Sequence, residues 1–376
     1  MISVREHRTG PVTALTHALY GVPMSRTRLY RDGKLVLEDF PPADISEHLA
    51  DPGTMVWLDV CDPRDEDFAM LAEEFGLHAL ALEDARQPHQ RPKIDRYASH
   101  CFLSLYAVGT VGADAEPGTA DTGEGRVRAR RAADSGSSER EIIGPIHSVE
   151  ISVFVTRQAL ITIRPHERCG IDDVLRRWDD APELAAHGVG FLLHGLLDHI
   201  VDGHFAAVQE LDDRIETLED MLFDDTGRGA QDVQREAFVL RKALVRLRRV
   251  ALPMREMVNT LMRRDLHLVP DPLVPYYQDV YDHVLRVAEW TESLRDMVGS
   301  VMETNLTVQG NRMNLIMKKV TSWASIVAVP TAVTGFYGQN VPFPGFGSEW
   351  GFLVSIAVTV LGAVLLYRGF RKRDWI

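Results

Sequence analysis

The sequence predicts a mixed α/β (α+β) cytoplasmic domain, a long stalk helix, and two C-terminal transmembrane helices. Three observations carry that prediction. The first half interleaves short β-branched runs with amphipathic helical stretches. Helical periodicity then runs without a proline from Pro275 to Pro330. Finally, the runs Val320 to Tyr337 and Gly351 to Tyr367 contain no charged residue.

Composition bounds the classes. The chain has 376 residues, of which 45% are hydrophobic and 25% charged. That is ordinary for a folded soluble protein, so any membrane part is a minority of the chain. A net charge of −13 disfavours nucleic acid as a partner and suits cations. Cys61, Cys101 and Cys169 fit neither a CxxC metal pattern nor a disulfide framework, and read as reduced thiols. Met1 to Tyr20 has no continuous apolar core and does not read as a signal peptide. No P-loop, cofactor loop or nucleophile–base pair is evident, so neither an enzyme nor an organic cofactor is expected.

Residues 1–23 read as a flexible tail, and residues 24–185 as the cytoplasmic α/β domain. Within it, Arg28-Leu29-Tyr30, Met55 to Val60, His100 to Val108, His147 to Thr156 and Gln158 to Arg164 read as strands. Asp65 to Phe75 and Ala79 to Ala85 read as helices. Residues 112–140 nearly lack large apolar side chains. They cannot bury enough surface to offset their ordering entropy, and read as a disordered insertion. Residues 186–270 read as two antiparallel cytoplasmic helices, Gly190 to Met221 and Val233 to Leu252, joined at Asp224-Asp225-Thr226-Gly227. The second is basic on one face. His194, His199 and His204 recur every five residues, which spreads them around the first helix as structural or solvated groups.

Residues 276–337 read as the stalk, continuing into a first span at about 320–337. Its proline-free part would be on the order of 80 Å long. An external loop (338–350), a second span (351–367) and a basic tail (368–376) follow. Each apolar run has about 17–18 residues, the lower end for crossing a bilayer. Lys318 and Lys319 precede the first run, and Arg371, Lys372 and Arg373 follow the second, whereas the loop between has no Lys or Arg. The positive-inside rule therefore places both termini and the large domain in the cytoplasm of a multi-pass cell-membrane protein, with those five cations at an inner neck.

Asn314, Met317, Thr321, Ala324, Ala328, Thr331 and Gly335 recur at alternating spacings of three and four. They form a small and polar stripe on a helix otherwise apolar at membrane depth. Polar side chains facing lipid are costly, so the stripe should meet partner copies or water. Spacing alone leaves both a tight helix seam and a shared pore lining open. Gly338, Gln339 and Asn340 follow, and the two amides offer neutral oxygens. Such oxygens could hold hydrated Mg2+, which parts with its waters reluctantly.

These residues carry a resemblance. Tyr337-Gly338-Gln339-Asn340 resembles the Tyr-Gly-Met-Asn loop of the CorA family of divalent-cation channels. Met313 to Thr321, with Pro330-Thr331, is similar to that family's first membrane helix. Glu83-Asp84, His89-Gln90-Arg91-Pro92-Lys93, Val274 to His283 and Arg371 to Trp375 are similar to family stretches in the same order. The resemblance runs from roughly residue 50 onward. It implies a funnel-shaped homopentamer whose first spans line the pore and whose second spans form an outer ring. Gly338 and Asn340 would form the outer selectivity ring, with Asn314 at the inner end of the conduit. Asp84 and Asp279 would hold regulatory Mg2+ between subunits.

The expected activity is passive, potential-driven uptake of Mg2+, with Co2+ and Ni2+ as further cargo, gated by cytosolic Mg2+. Gln339 replaces the family's methionine, which puts the preferred ion in question. A Zn2+ transporter of the ZntB-like branch is one alternative. A membrane-anchored cytosolic scaffold or sensor is another.

Overall fold

The computed structural model describes residues 24–87, 90–110, 145–166, 170–223, 230–263, 268–339, 342 and 345–376. The tail, the 112–140 insertion, Cys169, the 224–227 turn, His89 and Asn340 therefore lie outside the described residues. The chain divides into two compact units: residues 1–219 with 235–298, and residues 220–234 with 299–376.

The first unit is built on a seven-stranded sheet: β1 (Met24–Arg31), β2 (Lys34–Glu38), β3 (Thr54–Cys61), β4 (Lys93–Arg96), β5 (Cys101–Thr110), β6 (Ile146–Val155) and β7 (Ala159–Arg164). Their spatial order is β2-β1-β3-β7-β6-β5-β4. Only β3 and β7 pair in parallel, Val56 opposite Ala159 through Cys61 opposite Arg164. Alternation along the strands serves two cores. Val56, Leu58, Val60, Phe102, Phe154 and Ile161 face α1 (Asp65–Phe75) and α2 (Ala79–Arg86). Trp57, Leu103, Leu105, Ile151, Val153 and Leu160 belong to the other core. That core also contains residues of α3 (Ile171–Asp180), α4 (Val189–Phe223), α5 (Ala230–Leu261) and the start of α6 (Val274–Tyr337).

The mixed α/β character is as expected, with two additions. The edge strands β2 and β4 carry little of the apolar alternation that marks a half-buried strand; all five β2 residues are exposed. The helix read as Val233 to Leu252 instead spans Ala230–Leu261 and passes through Pro253. A proline inside a helix removes one backbone hydrogen bond. Here the turns beyond it bury Met254, Met257, Val258 and Leu261, and that packing offsets the loss.

A polar network is buried at the parallel junction. The Arg164 guanidinium donates to Asp59 at 2.9 and 2.7 Å, Thr162 Oγ1 donates to Asp59 Oδ1 at 2.7 Å, and Trp57 Nε1 donates to Thr162 Oγ1 at 3.2 Å. Trp57 also packs edge-on against Trp178 of α3. Cys61 and Cys101 are both buried.

Helix α4 lies close on β5. A Cβ at Gly203 would stand 2.7 Å from the Val108 carbonyl oxygen. At the next position the fully buried His204 bonds through Nε2 to the Tyr106 carbonyl oxygen at 2.7 Å, which makes Nε2 the protonated nitrogen. His204 is thus structural. His194 sits half-buried against Tyr276 and Tyr277, and burial lowers its pKa.

Burial lowers the pKa of His204 from 6.5 to about 4, outweighing the bond to Tyr106, which acts the other way. As pH falls below 6.5 the unfolded chain takes up this proton while the folded chain does not until about 4. The histidine's contribution is therefore intact above pH 6.5 and is lost progressively down to pH 4, for a total of about 3 kcal/mol. Melting temperatures of the full chain across that window should fall, and His204→Gln should flatten the part due to this group.

Candidate functional site

Helix α6 comprises 64 residues, about 96 Å at 1.5 Å per residue. With α7 (Glu349–Lys372), it is one of two described helices long and apolar enough to cross a membrane. In the second unit, Asn314, Met317, Thr321, Ala324, Ala328, Thr331 and Gly335 are all exposed. The other face of α6 is covered: Ser322 is fully buried, and Ser325, Ile326, Val329 and Val333 are half-buried. Val329 meets α7 where Gly362 stands. A Cβ on that glycine would lie 2.9 Å from Val329 Cγ1. The absence of a side chain lets the two helices approach closely. The stripe read from spacing thus lies within the broad face of α6 that α7 leaves open, a face that also exposes Val320, Trp323 and Val327.

Four hydroxyls of this span are satisfied within the helix. Ser322 donates to the Lys318 carbonyl at 2.7 Å, Ser325 to Thr321 at 2.8 Å, Thr331 to Val327 at 3.0 Å and Thr334 to Pro330 at 2.8 Å. The expectation that a stripe threonine must find a partner copy or water is therefore relaxed at Thr331, whose proton is already placed. Pro330 has no amide hydrogen, so the Ile326 carbonyl lacks its usual donor, yet the helix continues to Tyr337.

Beyond α6, the Gly338 amide donates to the Thr334 carbonyl at 2.8 Å and the Gln339 amide to Phe336 at 3.3 Å. Both residues are exposed. A Cβ at Gly338 would sit 2.9 Å from the Thr334 oxygen, so a side chain there would crowd this turn. Ser348 caps α7, accepting from the Gly351 amide at 3.3 Å. Lys318, Lys319, Arg371, Lys372 and Arg373 are all exposed.

Asp84 and Asp279 belong to the first unit. Asp84, on α2, is 2.6 Å from Lys93 Nζ, and Asp95 lies 2.9 Å from the same nitrogen. Burial disfavours the charge on Lys93, but the hydrogen bonds it donates to Asp84 and Asp95 outweigh that and raise its pKa. Asp279 stands 3.8 Å from His283 Nδ1 on the first turns of α6. Sequence reasoning missed the Lys93 partner, because β4 brings it to α2 only through the sheet. Among the described residues no three His, Cys, Asp or Glu side chains are grouped to hold a metal.

Comparison with known proteins gives a consistent picture. The family model described as "CorA-like Mg2+ transporter protein" matches residues 52–117 and 126–372. The chain is 27% identical over 350 residues to the cobalt/magnesium transport protein CorA of Thermotoga maritima, covering 90% of this chain and 89% of that protein. It is 28% identical over 320 residues to the putative metal ion transporter YfjQ of Bacillus subtilis, covering 85% and 89%. The complete CorA magnesium transporter of Methanocaldococcus jannaschii superposes with a TM-score of 0.70 at 21% identity, over 94% of this chain and 99% of that one.

The contact between Gly362 and Val329 can be tested alone. Gly362→Ala should overpack the helix pair by about 1–3 kcal/mol and lower the melting temperature of the detergent-solubilised chain. Adding Val329→Ala should recover most of that loss, because it removes the methyl group in the way.

Proposed function

The chain belongs to the CorA-like Mg2+ transporter family, and from that premise we propose that it is a membrane channel for divalent cations, with Mg2+ as principal cargo and Co2+ and Ni2+ as further cargo. The observation that carries this reading is the open stripe on α6. Its residues are small or polar at membrane depth, and α7 packs on the opposite face. Several copies, five on the family pattern, would bring these stripes together around a conduit running from Asn314 to Gly335. Gly338, Gln339 and Asn340 would form the outer selectivity ring, holding the ion through its waters with neutral oxygens. Lys318, Lys319, Arg371, Lys372 and Arg373 would surround the inner mouth, with both termini in the cytoplasm. Entry is driven by the inside-negative potential, about 2.3 kcal/mol per charge for each 100 mV.

Purified chain in liposomes, with an internal Mg2+ dye and an imposed inside-negative potential, should show Mg2+ entry that rises with the potential. Asn340→Ala should reduce it by about tenfold or more, the scale of losing one well-placed oxygen contact. Zn2+ entry without Mg2+ entry would make Zn2+ the cargo. No entry of either ion, indifferent to Asn340→Ala, would reduce the hairpin to an anchor.

Gating by cytosolic Mg2+ follows from the same reading. Mg2+ at Asp84 and Asp279, between subunits, would neutralise facing carboxylates and hold the channel closed. Lys93 pairs with Asp84 in the single chain and would compete with the metal there. In patch recordings, Asp84→Ala with Asp279→Ala should raise the cytosolic Mg2+ needed for half-inhibition by about tenfold. Unchanged inhibition would remove these two residues from the gate.

A further inference from the structure

The first unit carries a cationic cleft that ion conduction does not use. It has a volume of about 740 Å³ and is lined by Gln90, Arg91, Ser148, Arg246, Arg248 and Arg249, with Pro92, Leu252 and Pro253 along one wall. Among the described residues no carboxylate lines it. Arg248 is held by Glu292 at 3.0 Å. The neighbouring Glu150 accepts from Ser104 and Tyr106, each at 3.0 Å. Arg91 and Arg249 are exposed, and no carboxylate pairs with either among the described residues. Four arginines thus line one cleft with two carboxylates beside it, in a chain whose net charge is −13. Like charges lining one cleft repel one another, and an anion held there relieves that cost. Guanidinium forks match the geometry of phosphate oxygens.

The apolar wall says more about the ligand. Pro92, Leu252 and Pro253 also border an adjoining cavity of about 460 Å³, lined further by Ile94 and Met257 and, among polar groups, by Lys93, Arg255, Glu256 and Thr260. A ligand with phosphate oxygens at the arginines would lay its remaining body along this wall. The larger cleft alone has the volume of an ordinary small-molecule site. We propose that this cleft binds a phosphorylated organic anion of nucleotide size, its phosphates on Arg91 and Arg249 and its apolar body against Pro92, Leu252 and Pro253. Pro253, inside α5, fixes that wall next to the arginine turn that precedes it.

Calorimetric titration of the full chain in detergent, with EDTA present so that metal sites stay empty, tests this with ATP, inorganic phosphate and adenosine. ATP should bind more tightly than inorganic phosphate, and adenosine should give no heat. Arg91→Ala and Arg249→Ala should each weaken ATP binding by about tenfold, the scale of one charge-assisted contact. Raising salt should weaken it further. Arg241→Ala, on the same helix but outside the cleft, should bind as the unsubstituted chain does. Unliganded melting temperatures should match across the variants, since all three side chains are exposed. No ATP binding, binding indifferent to Arg91 and Arg249, or phosphate binding as tightly as ATP would each overturn the proposal. A change in oligomer mass on Arg91→Glu with Arg249→Glu, without ATP binding, would overturn it in favour of an acidic surface of a second copy.

Discussion

Several polar side chains that this chain takes out of water bond to other parts of the same chain, and those bonds shape both compact units. In the first, the single parallel strand pair is where a charged pair enters the sheet. Asp59 and Arg164 satisfy each other there, with Thr162 and Trp57 completing the network. Breaking such a buried pair is far costlier than never having it, so the two strands are held to one register. His204 does the same for α4 on β5, and Tyr277 for the start of α6, where its hydroxyl donates to the Gly190 carbonyl at 2.8 Å. In the second unit the same demand is met within one helix, by serine and threonine hydroxyls folded back on carbonyls one turn earlier.

Much of this was legible in the sequence, because its signals are local. The apolar, β-branched runs in Met55 to Val60 and Gln158 to Arg164 mark strands. The uncharged runs mark the apolar helices. The stripe from Asn314 to Gly335 was readable as a period. Which side of α6 would be covered was not, because that depends on one close approach. Its cue is a glycine at 362, where an apolar helix has no local need for one.

What escaped was set by tertiary context. Pro253 is a local stop signal, overridden because the turns beyond it carry four buried side chains. The strands β2 and β4 sit at sheet edges, where exposure erases the pattern that would announce them. The partnership of Asp84 with Lys93 depends on β4, so it was hidden with that strand. Asn340 lies outside the described residues, and its role rests on the loop motif it completes.

The back-bonded Thr331 has a further consequence for what α6 presents at its open face. Its only proton is committed to the Val327 carbonyl, so the oxygen turns lone pairs, not a hydrogen, toward whatever runs along the stripe. Water around a cation points its hydrogens outward, and water around an anion points its oxygens outward. An oxygen that can only accept therefore suits the hydration shell of a cation and leaves that of an anion unmatched. Discrimination by sign of charge is in this way available to a surface that carries no charge at all.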